Sequence, residues 1–278
     1  MLTRAVNAMR GALRHPVMYP ALRTRARAHR LPAQALVELG FAPDEVEATR
    51  ANYLQVASEL YPALAARWRE LMGPGPLFEK LSNPDAGQNA SNELVYRAVR
   101  LTRPEIVVET GTFGGVLSSF ILRALDDNGS GRLVSLDLPA YQPIERAIDI
   151  PLPAGHGPGF LIPDALRGRL ELVLGDTRET LPPTLHALGP INLYVYDSLQ
   201  TYRHMTFEYT SAWRAIRPGG LIFGNNAFVT SAFWRFTRRH RLPLLFVGGD
   251  FGVTRTPRSG VPDIGHCRAL LAAAADKV

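Results

Sequence analysis

The chain has 278 residues, of which 46% are hydrophobic and 20% charged, as in a packed globular protein. No apolar run approaches the roughly 18 to 20 residues that a membrane-spanning helix needs. The single cysteine, Cys267, excludes an intrachain disulfide framework and favours a reducing compartment, the cytoplasm.

The net charge is +6, and the first thirty residues hold seven arginines and no acid. Such a segment could be an organellar presequence, a nucleic-acid arm or a membrane-surface helix. We favour a solvated basic face on a cap helix, because the chain begins at Met1 and blocks of like charge often form solvated or interacting surfaces.

Residues 1–85 are predicted to form a helical N-terminal cap. An apolar run over Leu31 to Leu39 ends at Gly40, and a second helix opens at Pro43 with apolar residues at helical spacing. Glycines and prolines end that helix near residue 75, and a further loop signal surrounds residue 85. We therefore place a second domain over residues 86–278.

From about residue 90 the pattern alternates between helices and short apolar strands, which predicts a parallel sheet with helices on both faces. Near the end of the chain, Leu244 to Val247 and Gly252 to Thr256 flank a Gly-Gly-Asp turn, which predicts a hairpin. The expected fold class is α/β: a Rossmann-like, mostly parallel sheet of seven strands with one antiparallel edge strand. The five earlier strands are predicted at 106–108, 133–136, 170–174, 191–196 and 221–223.

A glycine-bearing segment, Glu109 to Gly115, joins the first strand to a helix at the sheet edge where ligands gather. Gly111 and Gly114 have the wrong spacing for a dinucleotide fingerprint, and Phe113 fills its second glycine position. The acid at Glu109 suits a cationic ligand, such as S-adenosylmethionine with its ammonium and sulfonium groups. The alternative is a plain strand-to-helix turn.

Two more acids follow the next strands. Asp137 is placed to accept ribose hydroxyls, or else to cap a turn before Pro139. Asp176 can accept a hydrogen bond from an adenine amine or cap the helix that follows it, and both roles can hold at once. Together with Glu109, these acids predict a cradle for a positively charged nucleoside.

At these residues the chain resembles the class I S-adenosylmethionine-dependent methyltransferases. The likeness is greatest to the bacterial small-molecule O-methyltransferases related to catechol and macrolide-sugar O-methyltransferases. It covers roughly residues 90–256 and implies methyl transfer to a small molecule in natural-product metabolism. It does not cover the N-terminal helices, which in such enzymes often supply a substrate lid or a homodimer contact. The matching stretches are 107–111, 161–177, 197–205 and 217–221.

The resemblance also implies residue roles in the cofactor site. Glu109, Gly111 and Gly115 would hold the methionine end, Asp137 the ribose and Asp176 the adenine. The cofactor set is completed by Thr112, Phe113, Thr177, Asp197 and Ser198.

Related metal-dependent enzymes bind Mg²⁺ through a carboxylate after strand four and an Asp-Asp or Asp-Asn pair after strand five. Here Asp197 is in place, but the pair is Asn225-Asn226. Affinity for Mg²⁺ follows ligand charge, so a site of one carboxylate and two amides should bind it weakly or not at all. We therefore expect an altered or lost metal site.

Four side chains are candidates for catalysis: Asp197, Gln200, Tyr202 and His204. Gln200 stands where related enzymes often have a histidine, and it cannot serve as a base. His204 is a candidate base, with an exposed helix residue as the alternative, and Tyr202 could orient the acceptor. The loop from 139 to 163 is expected to cover the acceptor pocket.

Other functions stay open. One is a nucleic-acid methyltransferase that uses the basic N-terminus, although no basic-aromatic interleaving of the kind found in nucleic-acid-binding modules is present. Another is a homologue that binds S-adenosylmethionine but catalyses a reaction other than methyl transfer. The glycine spacing speaks against a nicotinamide dehydrogenase.

Overall fold

The computed structural model describes residues 30–75, 89–140, 152–248 and 251–258. Most of the arginine-rich start, the predicted domain boundary at residues 85/86 and Cys267 lie outside these ranges. Within them, no helix is both long and apolar enough to cross a membrane.

The described residues form seven strands, seven α-helices and a short 3-10 helix over Asp164–Arg169. The strands are β1 (Ile106–Thr110), β2 (Arg132–Asp137), β3 (Leu170–Leu174), β4 (Ile191–Tyr196), β5 (Ile216–Gly224), β6 (Leu245–Val247) and β7 (Phe251–Arg255). The helices are α1 (Pro32–Glu38), α2 (Pro43–Met72), α3 (Asn89–Thr102), α4 (Val116–Asn128), α5 (Thr177–Leu188), α6 (Tyr202–Ala215) and α7 (Ala232–Arg239).

All seven strands form one sheet in the order β3-β2-β1-β4-β5-β7-β6. The first five pair in parallel, and β7 runs antiparallel to both of its neighbours, β5 and β6. The predicted Rossmann-like, mostly parallel fold is therefore confirmed. The antiparallel strand lies one place inside the edge, because the longer arm of the hairpin buries Val253 and Phe251 against β5.

The chain builds the sheet outwards from β1 in one direction to β3, and then returns to the other side of β1 with β4. Strand order therefore reverses between β1 and β4, and the crevice outside their carboxyl ends is where such sheets bind ligands. The centre of the sheet is buried on both faces, as in Val107 and Val108 at 0% exposure. Helices therefore cover both faces of the sheet and leave its carboxyl edge for chemistry.

One local difference from the sequence-based expectation concerns Pro218 to Gly220, which lie ahead of the fifth strand as it was predicted at residues 221–223. These residues lie inside β5, which begins at Ile216. The pairing of β5 with β4 shifts register between Ile191 and Leu193, so the turn-like residues sit in an irregularity of the strand.

The described part of the cap is helical and shares one hydrophobic core with the sheet. Leu64 and Trp68 of α2 belong to the same buried cluster as Phe120 of α4 and Val195 of β4. Arg97 of α3, 1% exposed, further ties α3 to α2 through hydrogen bonds to backbone and side-chain oxygens. The cap is therefore packed onto the same body that carries the sheet.

Candidate active site

The tips of β1, β2 and β4 are joined by their backbones. The Gly111 N–H donates to the Leu136 carbonyl at 2.9 Å, and the Asp197 N–H donates to the Thr110 carbonyl at 2.8 Å. Gly111 has φ +85°, and a Cβ added there would lie 2.3 Å from the Asp197 carbonyl oxygen. Only glycine fits at this position, because the backbone at the tip of β4 lies directly against it.

The next two glycines pack against a strap, which we define as residues 159–162. A Cβ on Gly115, which has φ +84°, would lie 2.4 Å from Ile162 Cγ1. The Gly159 N–H donates to the Phe113 carbonyl at 2.6 Å, and the Leu161 N–H donates to the Gly114 carbonyl at 2.9 Å. The described end of the loop that we expected over the acceptor pocket therefore covers the glycine segment.

Phe113 connects this segment to the cap. Its ring centroid lies 6.2 Å from that of Trp68 on α2 and 6.0 Å from that of Phe160 in the strap. The backbone of Phe113 has φ +46°, a conformation that is costly outside glycine and is held here by packing on both sides. The cap helix thus bears directly on the predicted cofactor loop.

Glu109 is 1% exposed and lies opposite Ser135 in the pairing of β1 with β2. Ser118 and Ser135 each donate a hydrogen bond of 2.6 Å to its Oε2. Burial raises the pKa of Glu109 to about 7, although the two serine hydrogen bonds act in the opposite direction. Glu109 is therefore poised between its neutral and charged forms at neutral pH.

Asp137 lies over the glycine segment, because the Phe113 N–H donates to its Oδ2 at 2.7 Å. Burial raises the pKa of this carboxyl as well. Thr112, also predicted to bind the cofactor, is buried beneath, with its hydroxyl 2.6 Å from that of Ser135. The negative charge of Asp137 also contributes to the raised pKa of Glu109, since the two carboxyls stand at adjacent strand tips.

Asp176 follows the neighbouring tip, where the Gly175 N–H donates to the Asp137 carbonyl at 2.9 Å. Its carboxylate caps α5 by accepting from the Arg178 N–H, and it also pairs with the Arg178 guanidinium. That pairing lowers the pKa of Asp176. The helix-cap role is therefore present, and the three predicted acids do stand at consecutive tips.

Asp197 follows β4 and meets the residue pair that follows β5. Asn225 Nδ2 donates to Asp197 Oδ1, and the Asn226 N–H donates to Asn225 Oδ1 at 3.0 Å. Because only the amide oxygen can accept from an N–H, this second bond fixes which way the Asn225 amide faces. Asn225 therefore presents hydrogen to Asp197, where a metal site would present oxygen.

The other predicted catalytic residues lie around the start of α6. Gln200 is half-buried, and Tyr202 is half-buried with the Arg235 guanidinium 5.8 Å from its ring centroid. No group of three or more His, Cys, Asp or Glu side chains suited to a metal occurs in the ranges that the structure covers.

His204 is 8% exposed, so the alternative of an exposed helix residue is wrong. Its Nε2 lies 2.7 Å from Glu208 Oε1 and 3.0 Å from Thr177 Oγ1. These contacts place His204 on the side of β3 and α5, where Asp176 stands. Its role as a base is still a prediction.

Sequence reasoning missed Glu208, which is 0% exposed and accepts hydrogen bonds on both carboxylate oxygens. The one signal in the sequence was its position four residues after His204 in a helix, which puts the two side chains on one face. The partners of Glu208 are Thr110, Thr177, Tyr194, Ser198 and His204.

Comparison with known proteins gives one family match. Residues 108–227 match a family model described as "Methyltransferase domain", and this stretch runs from β1 to the residues just after Asn225-Asn226. No curated protein sequence matches the chain.

Solved structures resemble the chain at low identity. The O-methyltransferase TomG from Streptomyces achromogenes, involved in tomaymycin synthesis and in complex with SAM, is 17% identical with a TM-score of 0.48, covering 70% of this chain and 89% of that one. The SAH-bound methyltransferase PaMTH1 of Podospora anserina is 14% identical with a TM-score of 0.48, covering 74% and 96%. A methyltransferase from Geobacter sulfurreducens is 20% identical with a TM-score of 0.48, covering 70% and 88%.

Proposed function

We propose, from the premise that residues 108–227 are a methyltransferase domain of the class I, Rossmann-like type, that this chain transfers a methyl group from S-adenosylmethionine to a small molecule. The enzyme works in the cytoplasm, as its single cysteine favours, and in natural-product metabolism, as its resemblance to macrolide-sugar methyltransferases implies.

The observation that carries this proposal is the row of carboxylates at three adjacent strand tips beside Gly111. Glu109 and Asp137 interact electrostatically, and Asp176 follows the tip bonded to Asp137. Arg178, a cation that contacts Asp176, is already engaged in an ion pair with the Asp176 carboxylate. This set of acidic acceptors fits a nucleoside that carries positive charge and hydroxyl donors, and it does not suit a pyrophosphate.

In the bound state, Asp137 would accept the ribose hydroxyls, Asp176 the adenine amine, and Glu109 would face the ammonium. S-adenosylmethionine supplies an activated methyl group on its sulfonium. The remaining task of the protein is to align the acceptor and take up its proton.

The residues after β4 and β5 are suited to that task. Asp197 accepts a hydrogen bond from the hydroxyl or amine of the acceptor and receives its proton, while Asn225 holds the carboxylate in one orientation. Tyr202 and Gln200, both half-buried at the start of α6, would line the acceptor side. The direction of the Asn225 amide supports a site that works without Mg²⁺.

A second candidate keeps the cofactor but replaces the reaction: a homologue that uses the bound sulfonium for chemistry other than methyl transfer. The observation that favours it is the hydrogen bond between Asn225 and Asp197, which engages the carboxylate that the proposed methyl transfer would use as its base. Release of S-adenosylhomocysteine during turnover would support methyl transfer, and turnover without it would support this alternative.

The test of the proposed function is a calorimetric titration with S-adenosylhomocysteine, with and without Mg²⁺. We expect binding of equal strength under both conditions. No binding would overturn the proposal, and turnover that strictly requires Mg²⁺ would overturn the metal-free site. Strong, salt-sensitive retention on RNA would favour a nucleic-acid substrate. We also propose a homodimer that forms through the N-terminal helices, and the molar mass of the same samples, measured by light scattering, tests it.

A further inference from the structure

Glu208 is a buried carboxylate held by donors from four parts of the fold. Oε2 accepts from Thr110 at 2.6 Å and from Tyr194 at 2.7 Å. Oε1 accepts from Thr177 at 2.6 Å, from His204 at 2.7 Å and from Ser198 at 2.8 Å.

This carboxylate is charged at neutral pH. Complete burial would raise the pKa of Glu208, but the hydrogen bonds, led by that from His204, outweigh burial and hold the pKa below its usual value. A buried charge without partners is very costly, so each of its donors is held firmly in place.

Three of the donors adjoin residues of the proposed cofactor site. Thr110 stands between Glu109 and Gly111 at the tip of β1. Ser198 comes directly after Asp197 at the tip of β4. Thr177 comes directly after Asp176 at the start of α5. One carboxylate on α6 therefore binds beside three separate parts of the cradle.

We propose that Glu208 is a positioning residue, which fixes the tips of β1 and β4 and the start of α5 in the arrangement that cofactor binding needs. This inference rests on the proposed function. Glu208 is fully buried and acts through its neighbours, so it does not react with the substrates. His204, whose Nε2–H donates a hydrogen bond to Glu208, belongs to the same hydrogen-bond network.

The test compares Glu208→Gln with Arg97→Gln. Gln keeps the shape of Glu208 but turns one acceptor oxygen into a donor that faces donors. Arg97 is a matched control, because it is buried at 1% exposure and makes three hydrogen bonds away from the strand tips, two to α2 and one to Glu93 in its own helix. Tyr194→Phe removes one donor to Glu208 with little change of shape, and it serves if Glu208→Gln does not fold.

Two measurements are made on each folded variant: the affinity for S-adenosylhomocysteine by calorimetry, and amide hydrogen exchange without ligand. We expect Glu208→Gln to bind about tenfold more weakly than wild type, and Tyr194→Phe to fall between them, while Arg97→Gln binds like wild type. We also expect faster exchange at the amides of Gly111 and Asp197, which join the strand tips, in Glu208→Gln and Tyr194→Phe alone.

The inference is overturned if Glu208→Gln matches Arg97→Gln both in affinity for S-adenosylhomocysteine and in amide exchange at the strand tips. If only Tyr194→Phe folds, the same comparison is made with that variant. If the wild type itself does not bind S-adenosylhomocysteine, the proposed function fails. The exchange arm, which needs no ligand, then decides whether Glu208 holds the strand tips.

Discussion

Asn225 holds the carboxylate of Asp197 from the neighbouring strand, with its amide nitrogen donating to Asp197 Oδ1. The Asn226 N–H, bonded to the Asn225 oxygen, keeps the amide from turning round. A carboxylate in this state is oriented by a hydrogen-bond donor, and the same position in a metal site would need a second acceptor.

Replacing Asn225 by Asp should therefore create a dependence on Mg²⁺. Without metal, Asn225→Asp loses the hydrogen bond and adds a like charge, which should lower the free energy of unfolding by about 2 kcal/mol. Added Mg²⁺ should restore the melting temperature of this variant and leave those of the wild type and Asn225→Ala unchanged. The idea fails if Mg²⁺ stabilises the wild type as much as it stabilises Asn225→Asp.

Glu109 should make stability fall as pH rises towards neutrality. Its pKa is raised to about 7 in the folded protein from an ordinary value of 4.5, so the folded state holds the proton more strongly. The contribution of Glu109 to the free energy of unfolding is complete below pH 4.5. It is lost as pH rises through 7, and the total loss is about 3 kcal/mol. Denaturation of Glu109→Gln at pH 5 to 8 should lack this loss, whereas Glu171→Gln, on the exposed part of β3, should retain it. Parallel curves for wild type and Glu109→Gln would contradict the prediction.

The same carboxyl should couple cofactor binding to protons. A ligand ammonium near Glu109 favours its charged form, so binding of S-adenosylmethionine near pH 7 should release protons. Calorimetry in two buffers with different ionisation enthalpies measures that release directly. Equal heats in both buffers would mean that no proton is released on binding, and would contradict an interaction between Glu109 and the ammonium of the cofactor.

The tight contact between Gly115 and Ile162 should make Gly115→Ala costly. The new Cβ combines an unfavourable φ of +84° with a clash at 2.4 Å, and we expect a loss of about 3 kcal/mol. Gly129 is the control, since it has φ +70° and nothing within 4 Å, so Gly129→Ala should show the strain alone, about 1 kcal/mol. In a double-mutant cycle, Ile162→Ala should recover part of the loss. Strictly additive losses would show that the clash is relieved in some other way.

Trp68 should matter for the cofactor loop although it lies in the cap. Trp68→Ala removes the ring that packs on Phe113 and Phe160, which should destabilise the fold by about 4 kcal/mol and weaken binding of S-adenosylhomocysteine several-fold. Trp213→Ala, which loses contacts with Phe236 and His240, should alter stability without altering affinity. Equal affinities of the two variants for S-adenosylhomocysteine would show that packing of the cap on the loop does not affect binding.

The sequence predicted those site features that depend on strand ends. Parallel strands place their carboxyl ends at one edge, so Glu109, Asp137 and Asp176 could be assigned to the same edge of the sheet from their positions alone. The family match and the sheet order confirm the predicted methyltransferase resemblance and fold.

The features that the sequence did not reveal depend on contacts between distant elements. Acidic residues in helices normally face solvent. Glu208 is buried because β1, β4 and α5 supply hydrogen-bond donors to its carboxylate. Likewise, the hairpin pattern could not tell which arm would pair with β5, because both arms are apolar. The resemblance implied that Gly111 holds the methionine end of the cofactor, but the sequence did not reveal that the backbone of residue 197 lies against this glycine.

That last contact has a consequence for how this enzyme can be changed. Since the main chains at residues 111 and 197 lie in contact without any side chain between them, the backbone would set the spacing between methyl donor and methyl acceptor in the proposed site. Exchanging side chains at the acceptor end would then retune which molecule is modified while the donor stays in register. An insertion of even one residue at either tip would disengage the two halves of the reaction.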